Sequence, residues 1–167
     1  MNCIIDFKEL VSLVKGEGLE QLIRLLGKRM GLQPTWTGPG ADHGNFEDIS
    51  GTISNHKIRW LVSCKDKSKS GKSVNESDLP SPGILDKVKQ HKADGFLLIT
   101  TTTVGTAAKE LIDKQDKSNN GEIYTKVWDV AELSAMLLEE PNHDLLLQYL
   151  PESYKRVKEI EELFDRI

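Results

Sequence analysis

Cysteine is scarce in this 167-residue chain, with Cys3 and Cys64 the two present. Two thiols make neither a disulfide framework nor a zinc-ligand pattern, and they fit a reducing compartment. No apolar run approaches the roughly 18 residues of a membrane-spanning helix. The start "MNCIIDFKEL" has no basic region, no long apolar stretch and no small-residue cleavage site, so a cytoplasmic protein without membrane attachment is expected. Net positive charge is also missing. With 22 Lys and Arg against 26 Asp and Glu the chain carries -4, which excludes a uniformly basic nucleic-acid binder. A local basic patch is still allowed, because phosphate binding depends on nearby cations and not on the total. Aromatics are 6% of residues, and Trp36, Trp60 and Trp128 all fall in β-prone stretches, where core packing is the first expectation.

What is present describes a globular domain. Hydrophobic residues make up 38% and charged residues 29%, and the length suits one domain with a proper core. "DFKELVSLVK" and "LEQLIRLLGKRMG" carry apolar residues at helical spacing, and Gly31 is placed to end the second helix. Leu32 to Thr37 reads as a short edge strand because of Pro34. "FEDISGTIS" and "KIRWLVSCK" read as an antiparallel hairpin turning at Asn55 and His56. Residues 66–83 are polar and read as an exposed functional or mobile loop. Then come a helix (ILDKVKQHKAD), a strand apolar on both faces (GFLLITTT), a helix with Thr106 as possible N-cap, a strand (EIYTKVWD) and two helices. This order predicts an α/β sandwich with a mixed central sheet in residues 1–150. The tail, residues 151–167, has Tyr154, Val157, Ile160 and Ile167 at helical spacing and reads as a packed helix, a linker or a dimer seam.

Two motifs bear on chemistry. "SGKS" ends like a phosphate loop, but the first glycine of G-x-x-x-x-G-K-[ST] would be residue 66, which is Asp, and no helix follows at once. A solvated lysine loop is the better reading. Asp48 at the start of one hairpin strand and Lys65 at the end of the other are expected to meet at the open end. Such a pair is either a surface ion pair or a site where a carboxylate holds a divalent metal and an ammonium offsets charge on phosphorus. Cys64 alternates away from Ser63 and Lys65 and should face the core.

From Leu19 to Leu138 the segments "GLEQLIRLLGKRMG", "GPGADHGNFEDISGTI", "IRWLVSCKDK" and "GFLLITTTTVGTAAKEL" resemble the restriction-endonuclease-like domains of the Mrr type, in the PD-(D/E)XK nuclease superfamily. The resemblance implies a restriction-endonuclease-like α-β-β-β-α-β sandwich with additional helices. It implies Glu20 as the helix glutamate that helps bind metal, Asp48 as the main metal ligand, with Asp42 as second choice, and Lys65 as the catalytic lysine. The acidic or amide position two residues before that lysine is Ser63 here, a neutral side chain that cannot ligate Mg²⁺ as a carboxylate does but could hold a coordinated water.

The implied function is a Mg²⁺- or Mn²⁺-dependent endodeoxyribonuclease acting on DNA in restriction or antiviral defence, as a homodimer or within a larger defence complex. The alternative is a catalytically degenerate nucleic-acid-binding or assembly module. Lys67, Lys69 and Lys72 would contact phosphates, and His43, in the "ADHGN" loop, would contact phosphate or activate water.

Overall fold

The computed structural model describes residues 4–12, 18–36, 44–53 and 56–167. After a 3-10 turn at Phe7–Ser12, the chain forms α1 (Gly18–Arg29), β1 (Leu32–Trp36), β2 (Gly44–Ile53) and β3 (His56–Lys65). It continues with α2 (Ile84–Gln90), β4 (Gly95–Thr100), α3 (Thr106–Gln115), β5 (Tyr124–Trp128), α4 (Val130–Leu138), α5 (His143–Tyr149) and α6 (Pro151–Asp165). The sheet order is β1-β2-β3-β4-β5. β1, β2 and β3 pair antiparallel, and β3, β4 and β5 pair parallel. The expected mixed α/β sandwich is therefore present, and β1 is the edge strand that Pro34 required, since proline donates nothing to a ladder. No helix among the described residues is long and apolar enough to cross a membrane.

Alternation along β3 separates the two layers. Ile58, Trp60, Val62 and Cys64 join the core formed with Leu22, Ile23 and Leu26 of α1 and with α4, α5 and α6. Leu61 joins the smaller core formed with Ile84 and Val88 of α2 and Ile112 of α3. β4 is buried at all six positions because it feeds both cores, Leu97 and Ile99 to one and Phe96 and Leu98 to the other. That is why it reads as a continuous apolar run. Because β3, β4 and β5 are neighbours in sequence order, both crossover helices lie on one face.

Local details sharpen the sequence reading. Gly31 has φ +84°, and its N–H donates to Lys28, so it ends α1 as expected. The first apolar stripe is a 3-10 helix where an α-helix was expected: Phe7 and Leu10, three apart, match its three-residue turn and both are buried. Thr106 is the first helical residue of α3 and not its cap, which is Gly105. His56 pairs with Ile53 inside the ladder and so belongs to β3 and not to the turn, while Asn55 lies outside the described residues. In α6 Ser153 and Val157 are buried against the body, whereas Leu163, Phe164 and Ile167 are 61%, 71% and 101% exposed.

The connection from α3 to β5 turns on Asp116. Its Oδ1 accepts from Ser118 N–H at 2.8 Å and its Oδ2 from Thr125 N–H at 2.8 Å and Thr125 Oγ1 at 2.6 Å. The Ser118 and Thr125 hydroxyl bonds hold its carboxyl down at about 2 against the opposing effect of burial. A lowered folded pKa stabilises the fold above the unfolded value near 4, and that stabilisation is lost as pH falls toward 2. Asp116→Asn should therefore cost on the order of 2 kcal/mol at pH 7 in urea unfolding. The gap to wild type should shrink steadily as the measurement moves from pH 4 downward. A gap that does not depend on pH would refute the ionic role.

Candidate active site

β3 and β4 end together, Cys64 beside Ile99 and Lys65 beside Thr100. Ligands of open α/β sheets bind beyond the carboxyl ends of such strands. Here the two departing chains are laced to each other. Asp66 Oδ1 accepts from Ser68 N–H at 3.0 Å and from Thr101 Oγ1 at 3.0 Å, and the same Thr101 oxygen accepts from Lys67 N–H at 2.9 Å. Thr102 Oγ1 donates to the Lys72 carbonyl at 2.9 Å, and the Ser73 and Thr103 hydroxyls are 2.8 Å apart. The Val74 N–H donates to the Thr103 carbonyl at 2.9 Å, and the Val74 carbonyl accepts from Gly105 N–H at 2.8 Å. Short polar side chains make this possible, since Asp, Ser and Thr bond readily to backbone two residues on. The lysine segment is thus a fastened rim of the sheet, with Val74 fully buried beneath it.

Lys67 does not stand ready for phosphate. Its ammonium is 2.9 Å from Asp78 Oδ2, with both side chains mostly buried. Burial alone would raise the Asp78 carboxyl. The Asn75 N–H bond, the Lys67 bond and the charges of Lys67 and Lys65 outweigh it and hold the carboxyl below its ordinary range. Lys69 and Lys72 are exposed. Gly71, at φ +70°, turns the segment between them, and no phosphate-cradling loop forms around Lys72.

Lys65 is half-buried at the strand end. Ser63, paired with Leu98, alternates to the α2–α3 side with Leu61 and Lys65. It is 1% exposed, and its hydroxyl has no hydrogen-bond partner among the described residues. Cys64 points into the α1-side core, as expected. Glu20 is partly buried in the first turn of α1. The twelve residues of α1 rise about 18 Å antiparallel to β1, so Glu20 reaches the same end of the sheet as Lys65, on the opposite layer.

The ladder corrects one expectation. Asp48 was to lie beside Lys65 at the open end of the hairpin. Instead Gly44 pairs with Val62 and Glu47 with Arg59, and the register then shifts before Thr52 pairs with Lys57. Asp48, paired with Leu32 on its other side, therefore sits opposite residues 57–59. Six residues of strand separate Arg59 from Lys65, about 20 Å at roughly 3.3 Å each. The irregularity between Glu47 and Thr52 contributes to this: extra residues in β2 slide its start back from the end of β3, so that Gly44 meets Val62 and not Lys65. Asp42 and His43 lie outside the described residues. Among the described residues no three Asp, Glu, His or Cys side chains come together as a metal site.

Asp66, Asp78 and Thr101 were missed as parts of this site. Their signals were local: "DKS" is an Asp-initiated turn, and "NESD" is a capping box in which Asn75 and Asp78 bond reciprocally to each other's backbone.

Comparison with known proteins fits this architecture. Residues 11–137 match the family model Mrr_cat, described as a restriction endonuclease. No curated protein and no solved structure is significantly similar to the chain. With three quarters of its length matched and the strand–helix order of the family in place, the chain belongs to the Mrr-type restriction endonuclease family, a nuclease domain of the PD-(D/E)XK superfamily.

Proposed function

We propose that this domain is a metal-dependent endodeoxyribonuclease that hydrolyses DNA phosphodiester bonds in restriction or antiviral defence. The observation that carries the reading is Lys65, a half-buried cation held at the carboxyl end of a central strand by the Asp66–Thr101 lacing. Lys65 is the attacking-water and phosphate partner: its ammonium orients the water and offsets charge as it develops on the phosphoryl oxygens. Glu20 and a carboxylate of the 42–48 segment would hold Mg²⁺ or Mn²⁺ at this sheet end. Bound there, the ion would lower the pKa of water and neutralise phosphate charge. Gly44 is paired with Val62 and stands two residues after Asp42 in the sequence, which favours Asp42 over Asp48 as that carboxylate. Lys69 and Lys72 on the rim remain proposed phosphate contacts, and so does His43.

A second reading, a nuclease fold kept for binding or assembly, is favoured by one observation: the position two residues before the lysine is Ser63, buried and without a charge. A supercoiled plasmid incubated with the full chain and Mg²⁺ or Mn²⁺ decides between them. The nuclease should convert it to nicked and linear forms, and EDTA should stop the reaction. DNA retained in gel shift, with no cutting under either metal, would replace the nuclease with the binding module.

A further inference from the structure

We propose that the second half of α6 is a self-complementary seam through which two copies of this chain associate, with the two helices antiparallel. The first half of α6 is fastened to the body. The Glu9 carboxylate accepts from the Glu152 and Ser153 N–H groups at 2.7 and 3.1 Å, and Arg156 Nε donates to the Ile4 carbonyl at 3.0 Å. Ser153 and Val157 are buried there. The helix then runs on to Asp165. Ile160, Leu163, Phe164 and Ile167 follow at i, i+3, i+4 and i+7, so they form one apolar stripe. Ile160 is half-buried, and the other three are the most exposed large apolar side chains among the described residues. A contiguous apolar surface rimmed by charge marks an interaction site.

The charges beside the stripe say what covers it. Glu159 and Arg166 stand immediately before Ile160 and Ile167, on one flank. Both are exposed, and neither is in an ion pair among the described residues. About 10 Å of helix rise separates them, and they do not meet within one copy. An antiparallel pairing that sets Ile160 against the partner's Leu163 also sets Glu159 against the partner's Arg166, and the two-fold axis repeats both contacts. A parallel pairing would face Glu159 with the partner's Phe164 and bring two bodies to the same end of the seam. One acidic and one basic group in this order suit an inverted copy of the same helix. The seam is about two turns long, smaller than a standard interface, so association in the micromolar range is expected.

The test is sedimentation equilibrium of the full chain, without DNA or metal, from micromolar to millimolar concentration. A monomer–dimer equilibrium is expected. Leu163→Ser with Phe164→Ser should weaken the dimer at least about a hundredfold, since each copy loses two apolar groups from the seam. Glu159→Arg should weaken it about tenfold, because like charges then face each other twice. Glu159→Arg with Arg166→Glu should return the affinity to within about threefold of wild type, a recovery that a merely structural effect would not give. Thermal unfolding should be unchanged in all three variants, since every substituted side chain is exposed. A monomer at every concentration overturns the proposal and leaves the stripe to a different chain. A dimer that keeps its affinity without Leu163 and Phe164, or a charge exchange that restores nothing, overturns it as well. No cleavage is measured, so these outcomes are independent of the nuclease reading.

Discussion

Lys65→Ala is expected to lower plasmid cleavage by about 10³-fold, the cost of removing one preorganised donor that faces transition-state charge. The fold should survive, because Lys65 is half-buried at a strand end and its neighbours are held by the Asp66, Lys67 and Thr101 bonds, which the substitution leaves in place. Thermal unfolding should stay within a few degrees of wild type, so that lost activity is not lost structure. Lys65→Arg should recover little, since a planar fork does not replace a compact ammonium. The carboxylate variants carry the sharper comparison. Asp42→Ala should match the Lys65 loss, whereas Asp48→Ala should stay within about tenfold of wild type, because the β2–β3 register holds it opposite residues 57–59. Equal loss in both variants would return the ligand to Asp48 and set the hairpin register aside for the catalytic state. Wild-type cutting by Lys65→Ala would falsify the site altogether.

Phe96→Ala is expected to destabilise the domain by about 3–5 kcal/mol, the range for emptying an aromatic site in a core. Phe96 is fully buried in the α2–α3 core and lies between Leu61 on β3 and Thr125 on β5 in the ladder. Three parallel strands and two crossover helices depend on that position, so little can relax into the space. For a domain of this length the unfolding midpoint should drop by about 8–15 °C. A loss under about 1 kcal/mol would mean that the smaller core collapses around the cavity. The two predictions are separable: Phe96→Ala at a temperature where it is still folded should keep its cleavage rate, since Phe96 points into a core and Lys65 lies at its edge.

Much of this molecule was legible in its residues. The alternation of β3 placed Cys64 in a core, the unbroken apolar run of β4 required cover on both faces, and Pro34 confined β1 to an edge. These are local signals, read from side-chain period and backbone chemistry, and they transmit to the fold because burial acts on each face separately. Glu20 entered through the family resemblance and not through side-chain period. Tertiary structure decided what depends on partners distant in sequence. The shift between Glu47 and Thr52 moved Asp48 down the ladder, and no period within β2 announces an irregularity that its neighbours impose. Lys67 exchanged a proposed phosphate for Asp78, because an ion pair depends on two side chains arriving together. The rim of hydroxyls that binds residues 66–74 to residues 101–105 exists only once β3 and β4 lie parallel and end at the same level. Sequence period determined which residues are buried, and strand register determined which of the exposed ones can meet.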